Sequence, residues 1–178
     1  MERELSEGNL ISGLTAGDAI GFSVASLGDL NGDGVDDMAI SAPGADNSTP
    51  GGEFFSEAGN VYVFYGPVLR DMDISEADAT LRGIAQDERA GETLAGLGDI
   101  DGDGQADLGI GAPGAADSAG RVYIMTGPLS GSTPLALATA RIDSATAWAR
   151  MGEALEPGGD ADADGRQDVL IGTPRLSA

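Results

Sequence analysis

Apolar positions along this chain gather into short runs that Gly and Pro cut off on both sides, a pattern of strands rather than helices. Val61 to Tyr65 and Val122 to Met125 are β-branched and aromatic runs, each closed by a Gly-Pro pair. Met38 to Ala42 is a third apolar run. Phe22 to Leu27 and Thr93 to Leu97 are two more, and both lead into Asp-rich loops. A further short strand is expected near Leu81 and near Ile142. Helical periodicity is weak throughout. Its best instance, Asp73 to Thr80, is short and reads as a loop. The fold class predicted is all-β.

The runs repeat. Asp29-Leu-Asn-Gly-Asp-Gly-Val-Asp-Asp37 aligns with Asp99-Ile-Asp-Gly-Asp-Gly-Gln-Ala-Asp107 and with Asp160-Ala-Asp-Ala-Asp-Gly-Arg-Gln-Asp168. Each nonapeptide precedes an apolar run that ends on Pro43, Pro113 or Pro174, and each comes eight positions after a Gly (Gly21, Gly91, Gly152). The spacing is 70 residues from Asp29 to Asp99 and 61 from Asp99 to Asp160. The difference lies between Pro43 and Gly59, a stretch of 16 residues that is only 7 long between Pro113 and Gly120. Outside that insertion Gly59 to Pro67 matches Gly120 to Pro128, and Arg89-Ala-Gly-Glu92 matches Arg150-Met-Gly-Glu153. Four short strands per unit of this length predict a propeller-like array.

Asp or Asn at positions 1, 3, 5 and 9 of a loop, with Gly at position 6, is a calcium geometry. Alternate side chains converge on one point, and Ca2+ takes six to eight oxygens, among them a backbone carbonyl from position 7. The candidate ligands are Asp29, Asn31, Asp33 and Asp37 with the Val35 carbonyl; Asp99, Asp101, Asp103 and Asp107 with Gln105; and Asp160, Asp162, Asp164 and Asp168 with Arg166. About three Ca2+ per chain are expected. Magnesium, which keeps its waters, suits such loops less. The alternative is a set of solvated Asp-Gly turns, which must tolerate clustered negative charge three times over. An EF-hand is excluded, because its twelfth loop residue is Glu and here position 12 is Ile40, Ile110 or Ile171.

These loops, with the Gly before and the Ala-Pro after, resemble FG-GAP repeats, the units of the integrin α-subunit β-propeller. Gly111-Ala112-Pro113 spells the second half of that name, and Ser41-Ala42-Pro43 and Gly172-Thr173-Pro174 vary it. The Phe of the first half is replaced: the copies read Ile20-Gly21, Ala90-Gly91 and Met151-Gly152. The resemblance implies a blade of four antiparallel strands, with the calcium loop joining the first two. It also implies a ligand-facing side opposite the calcium loops.

On that plan residues 1–18 form a leading outer strand, 19–88 blade 1, 89–149 blade 2 and 150–178 the first half of blade 3. A closed ring needs roughly four to eight blades. The chain is therefore expected to be part of a longer protein, to self-assemble as a homo-oligomer through open blade edges, or to stand as a capped open arc.

Composition narrows the function. There are 30 acidic against 9 basic residues, a net charge of −21, and no His, Cys or Lys. Nucleic acid is an unsuitable partner for such charge. Without His, Cys or Lys, and with the patterned acids in the loops, no enzyme activity is expected. No stretch approaches the roughly 18 apolar residues of a membrane span, and Met1 to Glu7 carries no signal-like apolar segment. The Arg-only, Ala- and Gly-rich composition reads as bacterial. Three Ca2+ ions would take the charge to −15.

Outside the loops, Phe54 and Phe55 in the insertion are candidate partner contacts, or else fold back over their own blade. Arg89, Trp148 and Arg150 are placed by the resemblance on the same ligand-facing side. Tyr62 and Tyr123, at matching strand positions, are expected in the core. The expected role is extracellular or cell-surface binding or adhesion toward a protein or glycan, with calcium structural. A lectin-like or accessory domain of a polysaccharide-active enzyme is the alternative.

Overall fold

The structure is a computed structural model that describes residues 9–175. The ends of the leading segment (1–8) and of the third unit (176–178) lie outside the described residues.

Blade 1 is an antiparallel sheet of β2 (Val24–Gly28), β3 (Asp37–Ala42), β6 (Asn60–Phe64) and β8 (Ala79–Arg82), in that spatial order. Blade 2 repeats it with β9 (Thr93–Gly98), β10 (Asp107–Ala112), β11 (Arg121–Thr126) and β13 (Ala140–Asp143). A third unit contributes β14 (Ala154–Gly159) and β15 (Asp168–Gly172), paired antiparallel. This is part of an open β-propeller. The position-12 residues Ile40, Ile110 and Ile171 lie in β3, β10 and β15, strands rather than the exit helix of an EF-hand.

Alternation along the strands explains the stacking. In β6, Val61 and Val63 enter the core between blades 1 and 2, while Tyr62 and Phe64 enter a second core on the opposite face. In β11, Tyr123 and Met125 join the first core, and Val122 and Ile124 pack toward Leu155 of the third unit. A strand apolar on both faces is one buried on both faces. Tyr62 and Tyr123 are accordingly 7% and 0% exposed.

Successive blades are also tied by backbone. Gly131–Pro134 (β12) of blade 2 pairs in parallel with β8 of blade 1, with Leu81 opposite Thr133. The short β1 (Ile11–Ser12) pairs in the same manner with β7 (Met72–Asp73), with Ile11 opposite Met72. Periodicity gives no hint of this pairing, because these segments are too short and polar to carry a pattern.

The segment from Asp73 is part helix. Asp73 caps a 3-10 turn, Ile74–Glu76, in a reciprocal capping box with Glu76, and the strand resumes at Ala79. The insertion in blade 1 forms a two-stranded hairpin, β4 (Asn47–Ser48) and β5 (Phe54–Phe55). Blade 2 makes the same connection with one tight turn at 115–118, whose Ala116, Asp117 and Ser118 have φ of 52°, 55° and 60°. Among the described residues no helix is long and apolar enough to cross a membrane.

Candidate functional site

The first and second strands of every unit are joined by the Asp loops, and a bulge sets each loop's direction. Register slips between Ser26 and Gly28, and again in β9 and β14, leaving Leu27, Leu97 and Gly158 unopposed. The next residue is Gly28, Gly98 or Gly159, with φ of 77°, 68° and 69°. Left-handed φ is open to Gly at little cost, and a bulge re-aims the chain beyond it. Sequence reasoning missed this position, although the signal was present: Gly directly precedes the first Asp in all three copies.

Inside the loops the bonding repeats position by position. Asp29 accepts from the Gly32, Asp33 and Gly34 N–H groups at 2.7, 3.0 and 2.8 Å. Asp99 accepts from Gly102, Asp103 and Gly104 at 2.6, 3.1 and 2.8 Å. Asp160 accepts from Asp164 and Gly165, both at 3.0 Å. At position 3, Asn31, Asp101 and Asp162 each accept from the N–H two residues on. At position 5, Asp33, Asp103 and Asp164 do the same from Val35, Gln105 and Arg166, all at 2.8 Å. At position 9, Asp37, Asp107 and Asp168 accept from Leu30, Ile100 and Ala161 at 2.9, 2.9 and 2.7 Å, which closes each loop.

This wrapping converges carboxylates. Oxygens of Asp99, Asp101 and Asp107 lie within 4.8 Å of one another, as do those of Asp160, Asp162 and Asp168. In the first loop Asn31 supplies an amide where the others have a carboxylate. Asp103 is not part of its loop's converged group. Asp107 is fully buried, and its Oδ1 has no hydrogen-bond partner among the described residues. Burial raises the Asp107 carboxyl above its ordinary value, and the charges of Asp101 and Asp103 add to the rise. Asp99 is held below the usual range, chiefly by the Gly104 N–H. The Ile100 and Gly127 N–H groups oppose the rise at Asp107, as the Leu30 and Gly66 N–H groups bond the equivalent Asp37, and the three converged carboxylates fit a hard cation. Adjacent loops touch as well, since Ala106 N–H donates to the Asp29 carbonyl at 2.9 Å.

The opposite end of the blades carries the second-to-third and blade-to-blade connections, and with them Phe54, Phe55, Arg89, Trp148 and Arg150. Phe54 is 62% exposed, whereas Phe55 is half-buried against a cavity. Trp148 is 67% exposed with φ of 63°. The two Arg residues lie in ion pairs: Arg89 with Glu57 at 2.7 Å and Glu92 at 2.8 Å, and Arg150 with Glu92 at 3.1 Å and Glu153 at 2.7 Å.

Sequence reasoning also missed Glu88. It is fully buried between blades, where it accepts from the Tyr123 hydroxyl, from Arg121 at 3.0 Å, and from the Ile84 and Ala85 N–H groups at 2.8 and 3.1 Å. Arg121 reaches Asp143 at 2.5 Å across the ladder. Burial works against the Arg121 charge, but Tyr123, Asp143 and Glu88 outweigh it and raise its pKa.

Comparison with known proteins agrees with this architecture. The FG-GAP repeat model matches residues 21–64 and 90–125. Integrin alpha-5 of Xenopus laevis is 35% identical over 155 residues, covering 85% of this chain and 14% of the integrin. Integrin alpha-4 of the same organism is 37% identical, covering 81% of this chain and 13% of the integrin. Phosphatidylinositol-glycan-specific phospholipase D of Rattus norvegicus is 34% identical, covering 87% of this chain and 18% of that protein. The chain thus spans less than a fifth of the length of each of these relatives. With its loops, bulges and blades repeated in this order, it is an array of FG-GAP repeats similar to the propeller of integrin α-subunits.

Proposed function

We propose that each Asp loop binds one Ca2+ ion, and that the array is a calcium-stabilised binding module working outside the cell. The ligands would be Asp29, Asn31, Asp33 and Asp37; Asp99, Asp101, Asp103 and Asp107; and Asp160, Asp162, Asp164 and Asp168, with the carbonyls of Val35, Gln105 and Arg166. The observation that carries this reading is the convergence, within 4.8 Å, of carboxylate oxygens from Asp99, Asp101 and Asp107, and again from Asp160, Asp162 and Asp168. When bound, the ion supplies positive charge and fixed coordination. The chain's own residues wrap the loops and close each one through the position-9 Asp.

The role is binding rather than catalysis. The acidic residues with a recognisable pattern belong to the loops, and the chain has no His, Cys or Lys. Millimolar calcium, the extracellular level, suits open loop sites of this kind. Similarity to integrin α-subunits supports adhesion toward a protein or glycan, engaged through the end away from the loops.

Thermal melting tests the reading. Calcium raises the melting temperature above that in chelator, by mass action on the folded state, and magnesium at equal concentration does not reproduce the rise. Equal melting in calcium and chelator contradicts it.

A further inference from the structure

The hairpin that blade 1 carries and blade 2 lacks encloses a cavity of about 290 Å3, together with the end of β8 and the start of the next blade's 134–136 segment. Pro50, Phe55 and Pro134 give it apolar walls, and Glu53 and Arg82 also line it. Arg82 is half-buried. Its Nε is buried without a hydrogen-bond partner, and its guanidinium forms no ion pair among the described residues. A buried N–H without a partner is costly.

The neighbouring blade has the missing anion. At the equivalent ladder position Arg121 faces Asp143, and Glu88 completes its pairing. In blade 1 that ladder pair is Asn60 and Arg82, so the outer carboxylate has become a guanidinium and the inner guanidinium an amide. The pair does not close on itself, because Asn60 Oδ1 is also buried without a partner. Of the other polar groups of the wall, Asn47 donates to the Gly59 and Gly83 carbonyls and the Thr49 hydroxyl accepts from Glu53 N–H, while Ser48 and the Glu53 side chain line the cavity as well. Arg82 is the one cationic side chain of the wall, so the group that gains most there is an anion. An acidic side chain with an apolar neighbour finds the two things it needs.

We propose that this cavity binds a carboxylate-bearing side chain of a protein partner, the carboxylate seated on Arg82 and the adjoining apolar group against Phe55 and Pro134. This gives a ligand chemistry to the binding end proposed above, and rests on that reading.

The test titrates an acetylated, amidated Glu-Phe dipeptide into the calcium-loaded, 15N-labelled chain, with the Gln-Phe dipeptide and galacturonate in parallel. Glu-Phe is expected to shift the Arg82 Nε–H and the Gly83 and Ile84 amide signals saturably. Its dissociation constant is expected on the order of millimolar, as for small fragments. Gln-Phe gives no saturable shift, and Arg82→Met abolishes the effect. Glu53→Gln, in the exposed hairpin turn, tightens binding a few-fold by removing a like charge. That variant keeps the test decisive if Arg82→Met does not fold. Equal shifts from both dipeptides, or none from Glu-Phe, overturn the proposal. Tighter binding of galacturonate overturns its assignment to a protein. Calcium counted in the same samples separates the two readings: normal calcium with no Glu-Phe response sinks this inference alone, whereas absent calcium sinks the module.

Discussion

The two ends of the blades have diverged to different degrees. At the Asp-loop end, three copies repeat the same bulge, the same left-handed Gly and the same hydrogen bonds at positions 3, 5 and 9, while position 1 accepts from three N–H groups in two loops and two in the third. At the opposite end the copies share less: a left-handed Gly21, Gly91 and Gly152, and the matching Arg89–Glu92 and Arg150–Glu153 pairs. Blade 1 has a hairpin where blade 2 has a left-handed turn, and the junction residue is Asp18, Glu88 or Ala149 in successive units. Convergence of oxygens on one point tolerates little variation, so the loop end is held constant. Junctions require only that buried groups be paired or absent, and each has found its own solution.

The largest expected effect breaks one junction. Glu88→Ala strands the buried Arg121 guanidinium and the Tyr123 hydroxyl, and should cost about 3–5 kcal/mol in chemical denaturation with calcium saturating. Asp18→Ala, at the matching but half-buried position, should cost about 0.5 kcal/mol or less. Equal costs would mean the junctions are alike after all.

At the loop end, Asp107→Ala and Asp168→Ala should each remove one bound ion from a calorimetric count. At calcium a hundredfold above the dissociation constant, each lost ion forfeits about 2.7 kcal/mol of stabilisation. A variant that keeps its full count would show that the position-9 carboxylate is not a ligand.

Smaller again is a defect inside the conserved end. Ala163 has φ of 63° where the other two loops have Gly32 and Gly102. Ala163→Gly should stabilise the calcium-free chain by roughly 0.5–1 kcal/mol, because left-handed φ strains Ala by more than Gly loses in chain entropy. An unchanged melting temperature would contradict this.

The smallest effect is a pH dependence at the Glu88 junction. Burial tends to raise the Asp143 pKa, but Arg121 and Arg141 outweigh it and hold the group below its ordinary value of 3.8. A carboxylate with a depressed folded pKa adds stability that is present above 3.8 and lost as pH falls through the folded value. Asp143→Asn should therefore flatten the decline in melting temperature below that pH and change little at neutrality. Identical acid limbs in the two proteins would contradict the pairing.

The loop end was legible in the sequence because Asp, Asn and Gly recur there at fixed spacing in three copies. The strands were legible for the same reason: Val61–Val63 and Val122–Ile124 alternate between two cores and match across copies. Glu88 was not legible, since its partners Arg121 and Tyr123 come from another blade and no repeat position shares them. The hairpin holding Phe54 and Phe55 was hidden by its polar turn, and the parallel pairing of β12 with β8 by its Gly-Ser-Thr-Pro sequence. What repeats could be read; what each junction improvised could not.

Calcium occupancy of the three loops is best decided by a calorimetric titration of the chelator-stripped chain. Close to three ions per chain are expected, with magnesium unable to displace them. An intact fold that takes up no calcium would contradict the assignment, leaving the three Asp loops as turns.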